Sequence, residues 1–148
     1  MSRTPPSRRA DYRFFHTVTT RWMDNDVFRH VNNVNYFSFF DTCVTYWELM
    51  EGGVDLVDGD IHCVVAEVQC RYIASIAFPD VVTVGLRVAR LGNSSVRYEL
   101  AIFRNEEDEA SAEGYFVHVF VQRGAQRPVP IPAITRGRLE QLVVNPAA

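Results

Sequence analysis

The chain has 148 residues, 47% of them hydrophobic and 22% charged, with a formal net charge of −3. That is the make-up of one globular domain able to bury a core without metals or disulfides, and its acidic balance argues against a nucleic-acid surface. All 15 basic residues are arginine, which excludes Schiff-base, pyridoxal-phosphate and P-loop lysines, and no apolar run is long enough for a membrane span.

The first ten residues, MSRTPPSRRA, are polar and lack an apolar h-region. They read as a disordered start rather than a secretory signal, followed by a single domain over residues 11–144. Aromatic and β-branched residues predict a first strand over Tyr12–Trp22. The stretch from Asp24 to Asn35, rich in Asp and Asn, predicts a loop that enters a helix. From Asn33 to Met50 most positions are apolar or aromatic, while Asn35, Ser38, Asp41, Thr42, Thr45 and Glu48 form one narrow polar stripe. A long, largely buried helix is expected, ending at Gly52 and Gly53.

The remainder reads as β. Ile61–Ile73 alternates, with Val64, Ala66, Val68, Cys70 and Tyr72 on one face. Asp80–Leu91 and Val96–Arg104 alternate too, and Gly114–Gln122 is apolar on both faces, as suits a central strand. A short last helix is expected over Ala133–Val144, weakened by Gly137. One helix cannot cover both faces of a parallel sheet, so the fold class is α+β, a mostly antiparallel sheet curled around one apolar helix. Its uncovered face and edges favour a homo-oligomer. Cys43, Cys63 and Cys70 have neither a disulfide nor a zinc spacing, and they predict small hydrophobes in a reducing cytoplasm.

The densest polar cluster, Arg21 to Tyr36, lies where the first strand hands over to the helix. A helix N-terminus offers unpaired N–H groups and partial positive charge, which suit an oxyanion. A carboxylate beside it could attack a carbonyl or activate water. Capping without catalysis explains the same residue types. A metal site built on Asp24, Asp26 and His30 is a third reading, although hard cations usually need more carboxylates. No GxSxG, GxGxxG, HExxH or EF-hand pattern is present.

Asp24-x-Asp26-x-x-x-His30-Val31-Asn32-Asn33-x-x-Tyr36 resembles the signature of hotdog-fold acyl-CoA thioesterases of the 4-hydroxybenzoyl-CoA thioesterase type. The likeness extends through Phe78–Val84, Arg90–Val96, Phe116–Phe120 and Pro128–Pro132, and so covers residues 12–140. It implies a hotdog fold of about five strands around one long helix. It further implies a dimer or dimer of dimers with sites at the interface, and hydrolysis of acyl-CoA or acyl-carrier-protein thioesters without metal or organic cofactor. By position, Asp26 matches the catalytic carboxylate, as nucleophile or general base, and Asn33 the residue whose backbone N–H polarises the thioester carbonyl. Asp24, His30, Asn32 and Tyr36 would shape the loop or the acyl pocket, with Phe37 and Phe40 as further walls, and Arg90 is a candidate for the coenzyme A phosphates. Relatives often have Gly where Arg29 stands and Glu where Asp41 stands. Two alternatives are a hotdog enoyl-CoA hydratase or dehydratase, using Asp26 with His30, and a non-catalytic acyl-CoA binding protein.

Overall fold

The computed structural model describes residues 4–144. In chain order the elements are β1 (Phe14–Thr19), α1 (Asn33–Met50), β2 (Ile61–Tyr72), β3 (Val81–Leu91), β4 (Ser95–Arg104), β5 (Ala112–Gln122) and α2 (Ala133–Glu140). The five strands form one antiparallel sheet in the order β1-β3-β4-β5-β2. Only β3, β4 and β5 meander. β2 crosses to the far edge beside β5, which places β5 inside the sheet, as its apolar faces require.

Asn32 starts α1 by accepting the Val34 N–H on its side-chain oxygen at 3.0 Å. At the other end the Glu51 and Gly52 N–H groups both donate to the Trp47 carbonyl. Gly53 follows at φ 73°, a left-handed turn that suits a glycine. Tyr36, Phe39, Phe40, Cys43, Val44 and Trp47 are buried against the sheet, in one core with Val84, Leu86, Tyr98, Leu100, Phe116 and Phe120. Each large side chain so buried contributes about 1.5–3 kcal/mol.

Burial is narrower than the helix's apolar composition implies. Val34, Tyr46, Leu49 and Met50 are exposed, because one sheet covers one side of a helix. Glu48, counted with the polar stripe, is instead 1% exposed and points into the core.

Three further expectations are corrected. The single alternation through β2 is broken: Val65 pairs with His118 and Glu67 with Val117, leaving Ala66 bulged out of the ladder. The bulge reverses face parity, so Ile61 and Cys63 join the core before it and Cys70 after it. α2 ends at Glu140 rather than Val144, since Val143 bridges to Val88 of β3. Residues 4–10 are not a loose start, and residues 1–3 lie outside the described part. Ser7 accepts the Ala110 N–H, Arg8 bridges to Glu109, and Arg9 donates to the Glu107 and Asn105 carbonyls. The segment leads Tyr12 onto the outer face of the sheet over Gly85, where an added Cβ would lie 2.9 Å from the tyrosine ring.

Candidate active site

The polar cluster between β1 and α1 folds into a tight loop around the start of the helix. Asp24 is buried, and its carboxylate accepts from the Arg21 N–H at 2.7 Å and the Arg21 guanidinium at 2.9 Å. Its carbonyl accepts from the Asn32 N–H and the Asn35 side chain. Asp24 therefore holds the loop to the helix and is itself fully occupied.

Asp26 is half-buried and differently bonded. Its N–H donates to the His30 carbonyl and its carbonyl accepts the Arg29 N–H. One carboxylate oxygen accepts the Phe28 N–H at 2.8 Å. The other has only the long contact of 3.5 Å from the Asn32 side-chain amide. Asn32 thus does two jobs, capping α1 with its oxygen and steering Asp26 with its nitrogen. The Oδ2 of Asp26 keeps free lone pairs, as an attacking or proton-accepting group needs.

Asn33 is the first residue of α1, and its side chain is exposed. Its N–H finds no acceptor among the described residues. A free N–H at the positive end of a helix of 18 residues has the chemistry to stabilise a developing negative charge. The Asn33 carbonyl is fixed by the Tyr72 hydroxyl at 2.9 Å, which ties the helix start to the end of β2. Beside them lies a cavity of about 310 Å³, lined by His30, Val31, Asn33, Tyr36, Tyr72 and Ile73 among others. The Tyr36 and Tyr72 rings meet edge to face, with centroids 4.9 Å apart. Burial raises both phenols to about 12, so both stay protonated donors.

Arg29 sits at φ 67° in this loop. The conformation for which a glycine is suited is therefore adopted here by an arginine, at a cost of about 1–2 kcal/mol. It brings the Arg29 N–H back to the Asp26 carbonyl and lets His30 receive the Asp26 N–H.

Not all the candidates converge. His30, Asn33 and Tyr36 line one pocket, Asp26 and Asn32 stand in the loop that leads to it without lining it, and Asp24 holds that loop to the helix. The link between Asp26 and His30 is backbone to backbone. Phe40 is fully buried, and Phe37 packs on Phe40 and Phe116, so Tyr36 alone of the three helix aromatics lines the pocket. Arg90 is exposed near the far end of β3. The near end of that strand adjoins the site, through the Phe78 N–H that donates to Asn25. Nine residue steps of strand, about 30 Å, carry Arg90 away from Val81, so Arg90 is not brought to this pocket within one chain.

Asp24, Asp26 and His30 do not gather as a metal-ligand set. Among the described residues the group that does is Glu48, Cys63 and His118, with donor atoms within 4.8 Å of one another. It lies in the core, toward the other end of α1. Glu48 there accepts from the Tyr98 hydroxyl at 3.0 Å and pairs with His118 Nδ1 at 2.9 Å. These residues were missed in the sequence. The available signal was one histidine inside the otherwise apolar GYFVHVFVQ and one glutamate among the aromatics of the helix. The three cysteines are free, and burial pushes their thiols up, Cys43 to about 12 and Cys70 to about 11, which leaves no reactive thiolate.

The model of the thioesterase-like superfamily matches residues 18–139. The protein PA5185 of Pseudomonas aeruginosa has a similar structure, with a TM-score of 0.92 and 49% identity over 94% of this chain and 97% of that one. A thioesterase from Thermus thermophilus, solved in complex with coenzyme A and Zn, has a TM-score of 0.74 and 30% identity over 86% of this chain and 98% of that one. The fold alone is shared with a 1,4-dihydroxy-2-naphthoyl-CoA thioesterase from Synechocystis, at a TM-score of 0.78, 15% identity and coverage of 87% and 96%. With the motif and the wrapped helix both in place, the chain belongs to the thioesterase-like superfamily and is a thioester hydrolase of hotdog fold.

Proposed function

We propose that the protein hydrolyses acyl-CoA thioesters to a free acid and coenzyme A. The observation that carries this reading is a loosely held Asp26 carboxylate oxygen, contacted by Asn32, in the loop next to the Asn33 N–H, which has no acceptor among the described residues and belongs to a residue lining an open pocket. The thioester carbonyl would accept from the Asn33 N–H as its oxygen gains charge, a contribution on the order of 3 kcal/mol for one such donor. Asp26 Oδ2 would either attack the carbonyl carbon, forming an acyl-aspartyl anhydride as the coenzyme A thiolate leaves, or take a proton from water as that water attacks. His30 and Tyr36 would line the acyl side, with Asn32 orienting Asp26. Coenzyme A is favoured as the carrier because a similar thioesterase is solved in complex with it.

Two observations support action as a homodimer or a dimer of dimers. β2 is an edge strand with Val65 and Val68 exposed, and Trp22, Met23, Val27 and Phe28 stand exposed around the site loop. A pairing through β2 would also offer a route for Arg90 of one copy to reach the pocket of the other and meet coenzyme A phosphates. The hydratase alternative gains nothing from the geometry, since Asp26 and His30 are joined through their backbones.

The test is thiol release from a panel of acyl-CoAs by the wild type and by Asp26→Asn, with a protein-only blank for the three cysteines. Turnover of at least one ester, lost about a hundredfold in a folded variant, is expected. Wild-type rates in Asp26→Asn would remove Asp26 from the chemistry. Hydration of an enoyl-CoA without thiol release would replace the reading.

A further inference from the structure

We propose that the N-terminal segment forms the outer wall of a channel that selects the length of the acyl chain, an inference that rests on the thioesterase reading above. The pocket beside Asn33 is bounded on one side by Tyr72 and Ile73. The same two residues line a second cavity of about 450 Å³, together with Thr4, Pro5, Pro6 and Arg71. The two spaces therefore share a wall and follow one another from the helix start outward along the end of β2.

The outer wall is built rather than draped. The Ser7 N–H donates to Glu113, the Ser7 carbonyl accepts the Ala110 N–H, and the Ser7 hydroxyl meets the Tyr12 hydroxyl at 2.8 Å. Just before that anchor stand two prolines, whose fixed φ leaves little freedom to lose when a ligand packs on them. On the inner side the Tyr72 hydroxyl is bound to the Asn33 carbonyl, so the shared wall is tied to the place where the thioester would sit.

The chemistry of the lining selects the occupant. Tyr72 and Ile73 are large, mostly apolar side chains left 45% and 39% exposed, and they line the cavity together with two prolines. Arg71, the one cation among the described lining residues, is already paired with Glu113 at 2.8 Å, so it offers no free charge to a phosphate. The lining fits an alkyl chain whose carbonyl end is held at Asn33. Short acyl groups would fill only the inner pocket, and longer ones would pass Tyr72 and Ile73 to lie under Pro5 and Pro6.

The experiment measures kcat/KM for straight-chain acyl-CoAs from acetyl to dodecanoyl, in the wild type, in a chain lacking residues 1–6, and in Pro5→Trp, which alters only the outer cavity. Both changes leave Ser7 and its anchors in place, and a melting curve reports whether each variant folds. In the wild type, kcat/KM is expected to rise with chain length. In both variants it should fall at least tenfold for octanoyl and longer chains and stay within about twofold for acetyl and butyryl, since each lost methylene contact is worth several-fold in affinity. Turnover with an unchanged length profile in either folded variant would overturn the channel and leave the thioesterase reading standing. Absence of thiol release by the wild type on every ester would overturn both.

Discussion

The two ends of α1 treat polar residues in opposite ways. Near its C-terminal end Glu48 is 1% exposed, and it is engaged by the Tyr98 hydroxyl and by His118 Nδ1. At the N-terminal end, about 22 Å away along the helix, the Asn33 N–H has no partner among the described residues and Asp26 Oδ2 has only a long contact. A polar group can be buried when its bonds are made, and it then fixes how the helix sits on β4 and β5. A polar group can be left unmade only where water or a substrate reaches it. One end of the helix sets the register, and the other is open for chemistry.

Removing either feature should show which end does which. Glu48→Ala leaves the Tyr98 hydroxyl and the His118 ring without their partner in a dry core, and should cost about 3 kcal/mol or more of stability by denaturant unfolding. An unchanged unfolding midpoint would mean the buried cluster carries no stability. Asp26→Asn should do the reverse, losing about a hundredfold in rate at nearly unchanged stability. Asn32→Ala touches both properties, since it removes the helix cap and the amide that steers Asp26. About 1 kcal/mol of stability and roughly tenfold in kcat are expected to go together. A stability loss with unaltered kcat would limit Asn32 to capping.

Smaller effects sharpen the comparison at the site loop and the N-terminal segment. Arg29→Gly and Arg29→Ala both remove the charge, but only glycine accepts φ 67° freely. Glycine should be the more stable of the two by about 1 kcal/mol, seen as a higher melting temperature. The smallest effect is one of pH. Burial pushes the Glu113 carboxyl up, but the hydrogen bonds from Ser7 and the Arg71 pair outweigh it and hold the group below its ordinary value. A carboxylate lowered on folding stabilises the folded form above its unfolded pKa and loses that contribution as pH falls through the folded pKa. Docking of the N-terminal segment should therefore be complete above about pH 4.5 and weaken at more acid pH, read from amide exchange at Ala110. Exchange at Ala110 independent of pH, after correction for the intrinsic rate, would remove Glu113 as the anchor.

Much of the fold was legible because it depends on local pattern. The bounds of α1, the five strands, their antiparallel class and the loop around Asp26 follow from periodicity, capping residues and turn chemistry. The motif from Asp24 to Tyr36 was legible for the same reason: its residues are neighbours in the chain as well as in space. The hidden features join residues distant in the chain. The bulge at Ala66 exists because β2 must bend along β5, and no local pattern marks it. Tyr72 meets Asn33 only because β2 ends at the helix start, and Glu48 reads as polar surface until β4 and β5 bring Tyr98 and His118 to it.

Sequence alone, then, determined an α+β domain with a long apolar helix and a carboxylate beside its N-terminus. Those properties are written in runs of adjacent residues, whose spacing decides which side chains share a face. Tertiary structure decided which partners meet them. The strand order placed Tyr72 over Asn33, buried Glu48 with His118, sent Arg90 to the far end of β3, and docked a proline-bearing segment beside the pocket. Such contacts join residues tens of positions apart, and they form only when the sheet closes on the helix and the burial of its apolar face offsets the entropy of bringing them together.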